Sequence, residues 1–421
     1  MGLGMFTAQQ SPIAIDFGSS SVKLMQLDML DSPSVIAAAR LEIPESFRSS
    51  SAQVMQYLSG QLPTIIRNSG FKGKKIVTAI PSYQTYLQHL QVVETDGVSL
   101  DEIVSGQLQM QMNCSPNSLV VRNIPVPGAQ CRDQTRKEVI CFAASREIVM
   151  RYVKLLKKCK LDVLSMHTES FSTIWAFQHL NRRKEYEDCA TLYINLAWSG
   201  TTVTIAHGSD LVFARHINVG GQHFDHQIAK VLKCDLAEAI QCRKEFQIPI
   251  MRSEHAETAG TASGEASETR RIGDSDDDSA ASLSEDQDYV ATMTSYDRRS
   301  GEVPGEFVSF VTNGSSEEEI RKYDFEELLD TITDEISMCL RYHKGLFPDQ
   351  EITRTVFIGG ESTQSWLSGH IRNQLGMNAY IGDPIARFAD RGATHIPNIS
   401  MDEPQPGWTI VCGLCTAPSD Q

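Results

Sequence analysis

Three short turns in the sequence carry the residues best suited to hold phosphate groups. The first spans residues 16–23 and follows a short apolar strand at residues 13–15. Small residues in such a turn expose backbone N–H groups and hydroxyls to phosphate oxygens. Asp16 is predicted to hold a hydrated Mg²⁺ ion, and Lys23 is predicted to add positive charge. The binding residues predicted in this turn are Asp16, Gly18, Ser19, Ser20 and Lys23.

Two further turns have similar chemistry. Residues 195–202 place a tight turn between two strands, at the same relative position in the second half of the chain. Residues 357–362 end an apolar strand in a glycine pair, where backbone can pass close to a base and ribose. Each turn alone is common in ordinary loops, so the prediction depends on their order along the chain. The binding residues predicted in these two turns are Asn195, Ser199, Gly200, Thr201, Gly359, Gly360 and Glu361.

The elements around the turns predict two similar halves. In the first half, strands flank the first turn, a helix is predicted over residues 54–69 and a strand over 76–80. The second half starts with three strands joined by tight turns over residues 191–219, entered from a helix around residues 171–180. A helical apolar period runs from Phe325 to Leu340. Two halves that open in the same way indicate a duplicated α/β fold.

Residues 82–160 are predicted to form a unit of their own. Its elements follow the order strand, helix, strand, strand, helix. Ser99 and Glu102 have the spacing of a capping box at the start of the first helix. The two central strands are predicted over residues 118–126 and 137–143.

Composition places the chain among globular proteins and isolates one acidic segment. The chain has 421 residues, 41% of them hydrophobic, and contains no apolar run long enough to span a membrane. Residues 254–319 hold 17 acidic and four basic residues, so they carry most of the net charge of −15. Such a segment buries too little apolar surface to fold, and it is predicted to be disordered. The remaining chain is nearly neutral, which argues against a general nucleic-acid surface.

Two groups of potential metal ligands are interpreted as structural. Cys412 and Cys415 form the one close cysteine pair, and they are expected to be reduced and to face a core. His216, His223 and the neighbouring Asp225 and His226 straddle a strand, a turn and a helix start, with no further ligand apparent.

The three turns, taken in order, resemble the first phosphate, second phosphate and adenosine segments of the actin/Hsp70/sugar-kinase superfamily. Residues 215–225 resemble the segment after the second phosphate turn in the PilM and FtsA families, which adds Gly220 and Gly221 to the predicted site. Residues 382–384 and 413–414 match PilM-like endings. The unit at 82–160 lies where these families insert a small subdomain. The resemblance implies an actin-like duplicated α/β fold with an inserted small α+β subdomain.

The resemblance also implies a division of the chain. A short flexible tail is expected first, and the acidic segment is expected to interrupt the second half. The expected division is 1–10 for the tail, 11–81 and 161–188 for the first actin-like subdomain, 82–160 for the inserted subdomain, 189–253 and 320–421 for the second actin-like subdomain, and 254–319 for the acidic insert.

Three residues depart from the family pattern. Asn195 stands where the second phosphate turn has an aspartate, and an amide cannot act as a general base. Ala197 stands where that turn has a glycine, so a methyl group and resistance to positive φ are expected there. Met338 stands where many relatives carry arginine. We therefore expect weak nucleotide binding and little or no ATP hydrolysis.

By resemblance, the protein is expected to be a cytoplasmic, ATP- and Mg²⁺-binding scaffold of a type IV pilus or related type II secretion assembly platform. It would lie at the cytoplasmic face of the inner membrane and bind the cytoplasmic N-terminal peptide of a PilN-like protein. One alternative is an FtsA-like division filament protein, but such proteins carry a C-terminal amphipathic helix, and residues 417–421 do not predict one. The other is a small-molecule kinase of the same fold, which needs an acidic base near the acceptor hydroxyl.

Overall fold

The computed structural model describes most of the chain outside the acidic segment. The described residues are 10–29, 33–93, 96–112, 115–131, 133, 135–180, 189–246, 306–308, 320–389, 396 and 398–418.

The described residues form strands and helices that alternate along the chain. The strands are β1 (Ile13–Phe17), β2 (Ser21–Asp28), β3 (Ser34–Glu42), β4 (Lys75–Ile80), β5 (Thr85–Val93), β6 (Leu119–Pro125), β7 (Arg136–Ser145), β8 (Asp162–Thr168), β9 (Ala190–Leu196), β10 (Thr201–His207), β11 (Asp210–Ile217), β12 (Phe307–Val308), β13 (Ile352–Ile358) and β14 (Ala379–Gly382). The helices are α1 (Glu45–Arg48), α2 (Ser51–Asn68), α3 (Leu100–Met112), α4 (Arg146–Lys158), α5 (Glu169–Phe177), α6 (Gly221–Leu232), α7 (Leu236–Glu245), α8 (Glu326–Leu346), α9 (Ser365–Leu375), α10 (Ala386–Ala389) and α11 (Thr409–Cys415).

Two large sheets share one topology. The first has the order β3-β2-β1-β4-β8, and the second has the order β11-β10-β9-β13-β14-β12. In each sheet the first three strands form an antiparallel meander, and the next two strands join in parallel. The prediction of a duplicated α/β fold is confirmed.

The central strands of both sheets are buried on both faces. Every residue of β1 and of β9 is buried, which explains why both strands have continuous apolar sequences rather than alternating ones. In the first half, Ile13 and Ile15 pack in one core with Leu58 and Leu62 of α2. The three turns follow the C-terminal ends of β1, β9 and β13.

A small third sheet with the order β5-β7-β6 is formed by the part of the chain between β4 and β8. Its elements follow the predicted order, and α3 covers one face through a core that includes Leu90, Val104 and Leu108. The predicted capping box is present: the Ser99 N–H donates to the Glu102 carboxylate at 3.0 Å, and the Glu102 N–H donates to the Ser99 hydroxyl at 3.2 Å.

The structure corrects three details of the sequence prediction. Strand β3 was not predicted. Helix α6 begins at Gly221, four residues before the predicted start at Asp225. Within the segment predicted to be disordered, residues 307–308 form strand β12, which pairs antiparallel with β14. The other residues of that segment, apart from Glu306, lie outside the described residues, as do residues 1–9 of the predicted tail.

Two helices cross beneath the first sheet and connect the halves. Helix α5 leads from β8 to the second half, and α11 returns from the second half to pack against β1, β2 and β4. They touch at Gly413, whose position leaves no room for a Cβ atom beside the backbone carbonyl of Ser172. The Thr416 hydroxyl adds a hydrogen bond to the Trp175 carbonyl at 3.2 Å.

The cysteine pair lies inside α11, as the sequence interpretation expected. Cys412 and Cys415 are buried against Met25 of β2, and burial raises the pKa of Cys412 to about 12. Both thiols are therefore unreactive core residues. Among the helices that the structure describes, none combines the length and the apolar composition needed to cross a bilayer.

The helix crossing predicts a large effect of one methyl group. Gly413→Ala should lower the free energy of unfolding by about 3 kcal/mol or more, because the new Cβ overlaps the Ser172 backbone. Gly345→Ala is the matched control, since Gly345 lies in exposed helix with open space around its Cβ position, and should stabilise by about 0.5–1 kcal/mol. Urea unfolding curves measure both. Equal stability of the two variants would show that α5 and α11 can move apart at Gly413 without loss of stability.

Candidate functional site

The first turn joins the antiparallel strands β1 and β2. Asp16 is the cross-strand partner of Lys23, so both side chains leave the same face of the sheet. At Gly18 a Cβ atom would lie 2.7 Å from the backbone oxygen of Ser21, so this turn closes only with glycine.

Burial and opposite charge compete at this pair. Burial raises the pKa of Asp16, and the positive charge of Lys23 partly opposes the shift. Burial likewise lowers the pKa of Lys23, which the charge of Asp16 partly offsets. Among the described residues, no donor forms a hydrogen bond with the Asp16 carboxylate. The carboxylate is thus available to a ligand.

The second turn joins β9 and β10. At Gly200 a Cβ atom would lie 2.6 Å from the ring of His216, so only glycine fits. The backbone of Ala197 does not have a positive φ. Its N–H donates to the Gly200 carbonyl at 3.0 Å. The expected strain at Ala197 is therefore absent, and the turn closes with alanine in place of glycine.

The third turn follows β13. Gly359 has a φ of +90°, and its Cα lies against the Oδ1 atom of Asn195 and the carbonyl of Leu196. The next glycine, Gly360, has open space at its Cβ position. The third turn thus packs against the second turn at Gly359 and leaves open space at Gly360.

The three turns meet at one cavity of about 460 Å³, called the cleft below. Most of the predicted binding residues line it. They are Asp16, Gly18, Ser19, Ser20, Lys23, Asn195, Ser199, Gly200, Gly359, Gly360 and Glu361.

Three predicted residues do not line the cleft. Thr201 is fully buried and donates its hydroxyl to the Val219 carbonyl at 2.8 Å. Gly220 packs its Cα against the backbone of the second turn. Gly221 lies behind Glu361, where a Cβ atom would be 2.7 Å from the carboxylate. These residues support the turns from behind, so their prediction as binding residues is corrected.

The sequence prediction missed Glu169, which lies in the cleft at the start of α5. Its carboxylate accepts a hydrogen bond from the Ser82 hydroxyl at 2.7 Å. Burial, with the nearby charge of Asp16, raises the pKa of Glu169 to about 7. The place of Glu169 in the site could have been predicted from the sequence, because Glu169 directly follows β8 and ligands bind at the carboxyl ends of parallel strands.

A buried arginine organises the second and third turns. The guanidinium of Arg243 donates to Asp225 at 2.6 Å and to Glu361 at 2.5 Å. Asp225 also accepts from the Trp198 indole N–H at 2.8 Å, and Gln364 donates to Glu361. The Glu361 carboxylate is therefore occupied by protein donors, and it contributes shape rather than a free acceptor. Helix α7, which supplies Arg243, was not predicted to reach the cleft.

A second cavity of about 580 Å³, called the groove below, adjoins the cleft. One side is formed by Val54, Met55 and Leu58 of α2, and the other by residues that include Gln84 and Tyr152. Residues of the second half, among them Trp198 and Gln222, complete the lining, so the groove lies where the first half, the 82–160 unit and the second half meet. Residues that line both cavities are Gly18, Ser19, Arg48, Tyr83, Trp198 and Ser199.

The raised pKa of Glu169 predicts a dependence of stability on pH. The folded protein keeps the Glu169 proton up to about pH 7, whereas the unfolded chain releases it near 4.5. The stabilisation of the folded state by the protonated Glu169 is therefore complete below pH 4.5 and is lost as the pH rises through 7. Glu169→Gln keeps an acceptor for Ser82 but cannot ionise, so its melting temperature should fall less between pH 5 and 8 than that of the wild type.

The control for this measurement is Glu327→Gln, at an exposed position in the first turn of α8. Its pH profile should follow that of the wild type. Parallel profiles for all three proteins would mean that Glu169 ionises normally in the cleft.

Comparisons with solved structures identify the fold. The chain matches the structure described as "PilM-PilN type IV pilus biogenesis complex" with a TM-score of 0.66, at 16% identity, over 98% of this chain and 99% of that one. Weaker likenesses include the ethanolamine utilization protein EutJ from Carboxydothermus hydrogenoformans, with a TM-score of 0.45, 11% identity and 98% and 90% coverage. MreB5 of Spiroplasma citri bound to ADP matches with a TM-score of 0.44, 12% identity and 97% and 95% coverage. Among curated proteins, none matches this chain.

The family comparison covers the first turn, the second turn and the whole 82–160 unit. The family model described as "Type IV pilus assembly protein PilM" matches residues 14–255, which is more than half of the chain. The chain therefore belongs to the PilM family of type IV pilus assembly proteins, and it has their actin-like fold.

Proposed function

We propose that this protein is an ATP-binding scaffold of the type IV pilus assembly platform, or of a related type II secretion platform, that acts through contact with partners. The observation that carries the proposal is the meeting of three separate turns at one cleft of about 460 Å³. A cavity of this size, built from backbone and hydroxyl donors, suits a nucleotide.

The chemistry of the cleft residues fits a nucleoside triphosphate. Among the described residues, the hydroxyls of Ser19, Ser20 and Ser199 have no hydrogen-bond partner, so all three are free to donate to phosphate oxygens. Lys23 would add a positive charge, and Asp16 would hold a Mg²⁺ ion through water. The open face of the third turn would accept the base and ribose.

The same cleft is poorly equipped for hydrolysis. Asn195 occupies the end of β9, where an acid would be needed to deprotonate an attacking water, and an amide cannot act as a general base. Glu169 remains as the cleft carboxyl group that titrates near neutral pH. We expect turnover close to background, so that bound ATP would mainly fix the arrangement of the two halves.

The groove is the proposed site of the partner peptide. The solved complex that shares this fold is described as containing PilM and PilN, and we propose that a PilN-like inner-membrane protein is also the partner here. The groove combines an apolar wall at Val54, Met55 and Leu58 with polar groups such as Gln84. An extended cytoplasmic N-terminal peptide could bind there through a few apolar anchors and backbone hydrogen bonds.

The proposal includes the division and location expected from the sequence. The 82–160 unit would be the subdomain that forms one side of the groove, and the acidic segment would be an insertion in the second actin-like subdomain. The protein would be held at the cytoplasmic face of the inner membrane by its partner, and the tether would raise the local concentration of the peptide.

ATP with Mg²⁺ should raise the melting temperature of the wild-type protein, because a ligand that binds only the folded state stabilises it. Asp16→Ala should remove most of the shift, since it deletes the proposed Mg²⁺ group. A thermal-shift titration with ATP, with and without Mg²⁺, measures both. Asp162→Ala, at an exposed position on β8, is the matched control and should keep the shift.

Two outcomes would contradict the nucleotide proposal. One is a wild-type protein that shows no shift at millimolar ATP, which would leave a nucleotide-free scaffold. The other is rapid ATP hydrolysis that survives Asp16→Ala, which would move the site away from the cleft.

A synthetic peptide from the cytoplasmic N-terminus of a PilN-like protein should bind with an affinity of the micromolar order, or about −8 kcal/mol. Met55→Asp should weaken binding at least about tenfold, because it places a charge on the apolar wall of the groove. Met338→Asp, at an exposed position on α8 outside the groove, should bind like the wild type. Fluorescence anisotropy measures all three affinities.

Equal binding by the two aspartate variants would place the peptide elsewhere on the protein. Binding to a division-ring protein, with none to any pilus peptide, would favour the FtsA-like alternative.

A further inference from the structure

Arg48 lies at the boundary between the cleft and the groove. It is the last residue of α1, and its Nε atom donates to the Ile43 carbonyl at 2.9 Å. Its guanidinium carbon lies 4.9 Å from the centroid of the Trp198 ring, in the second turn. Arg48 thus reaches from the first half of the protein to the second.

The guanidinium has no anionic partner in the part of the chain that the structure describes. Its one side-chain hydrogen bond goes to Ile43, and no carboxylate lies within ion-pair distance. Glu42 and Asp225 act on it only as more distant charges, and burial lowers the pKa of Arg48. A partly buried guanidinium whose terminal N–H groups remain free is suited to an incoming anion.

The two cavities show which end of the cleft Arg48 occupies. Gly359 and Gly360 line only the cleft, whereas Arg48 and the tips of the first two turns line both cavities. Lys23 lies beside the glycine pair, because its Nζ atom and the Gly360 Cα are each 3.5 Å from the Cβ position of Gly407. The two cations therefore serve different parts of an extended ligand.

We infer that Arg48 is a specificity-determining residue that binds the terminal phosphate of a nucleoside triphosphate and thereby distinguishes it from a diphosphate. The inference rests on the proposed nucleotide function of the cleft. A base and ribose at the glycine pair direct the phosphate chain towards the first two turns, so its last phosphate reaches Arg48. The planar guanidinium can bind two phosphate oxygens at once, which an ammonium group cannot.

The cation–π contact between Arg48 and Trp198 determines how the Arg48 side chain moves when phosphate binds. The indole is held by its hydrogen bond to Asp225, which Arg243 holds in turn. Trp198 therefore stays in place, and the guanidinium moves from the ring face to the phosphate. Loss of this cation–π contact changes the environment of the indole, so Trp198 fluorescence should report the event.

The test is calorimetric titration of the full chain with Mg²⁺–ATP and Mg²⁺–ADP. Arg48→Gln should weaken ATP binding by about 10- to 100-fold, the effect of losing charged hydrogen bonds, and should change ADP binding less than about threefold. Arg48→Lys keeps the charge but not the planar pair of donors, so it should recover only part of the preference for ATP. Arg67→Gln, at an exposed position near the end of α2, is the matched control and should bind like the wild type.

A second readout uses the four tryptophans of the chain. ATP should change the emission of the wild type more than ADP does, and this difference should disappear in Trp198→Phe and in Arg48→Gln; Trp408 also lines the cleft and responds to either nucleotide. An unchanged ratio of ATP to ADP affinity in both Arg48 variants would overturn the inference while leaving the nucleotide site in place. A wild-type protein that binds neither nucleotide would overturn the proposed function and this inference together.

Discussion

The close contact between α5 and α11 at Gly413 is the constraint on which the cleft depends. Helix α5 follows β8, so its first residue, Glu169, lies at the floor of the cleft. Helix α11 follows the segment whose Pro406 carbonyl accepts the Gly359 N–H at 3.0 Å, and this bond ties the third turn to the helix. Because the two helices meet backbone to backbone, the position of Glu169 is fixed relative to the third turn.

The charges in the cleft indicate a site selected for a ligand rather than for stability. Burial raises the pKa of Asp16 and of Glu169, the charge of Asp16 adds to the shift at Glu169, and the charge of Lys23 offsets both shifts only in part. In a packed core such a pair would be replaced by apolar residues or fully hydrogen-bonded. Here the carboxylates face open space beside three free hydroxyls. A cation and a polyphosphate would neutralise and hydrogen-bond these groups together.

The sequence predicted those parts of the fold and site that depend on local pattern. The three turns, the capping box at Ser99 and the buried pair at Cys412 and Cys415 follow from residues adjacent in the chain. The errors arise where position depends on register or on distant contacts. Thr201 faces Val219 while its neighbour Thr202 lines the cleft, because adjacent strand residues point to opposite faces. Arg243 and Arg48 reach the site from helices that no local motif connects with it.

The first turn, between β1 and β2, forms part of two cavities, and this arrangement would suit the proposed scaffold better than an enzyme. Gly18 and Ser19 face the cleft and also the groove, so whatever fixes the turn from one side alters the surface on the other. On the proposed function, this shared turn would couple binding in the two cavities, and by linkage the coupling would act equally in both directions. Rapid hydrolysis would interrupt such coupling by removing the ligand. On the proposed function, the amide of Asn195, at the point where a catalytic acid would stand, would leave a bound nucleotide in place, as a protein that acts through its partners requires.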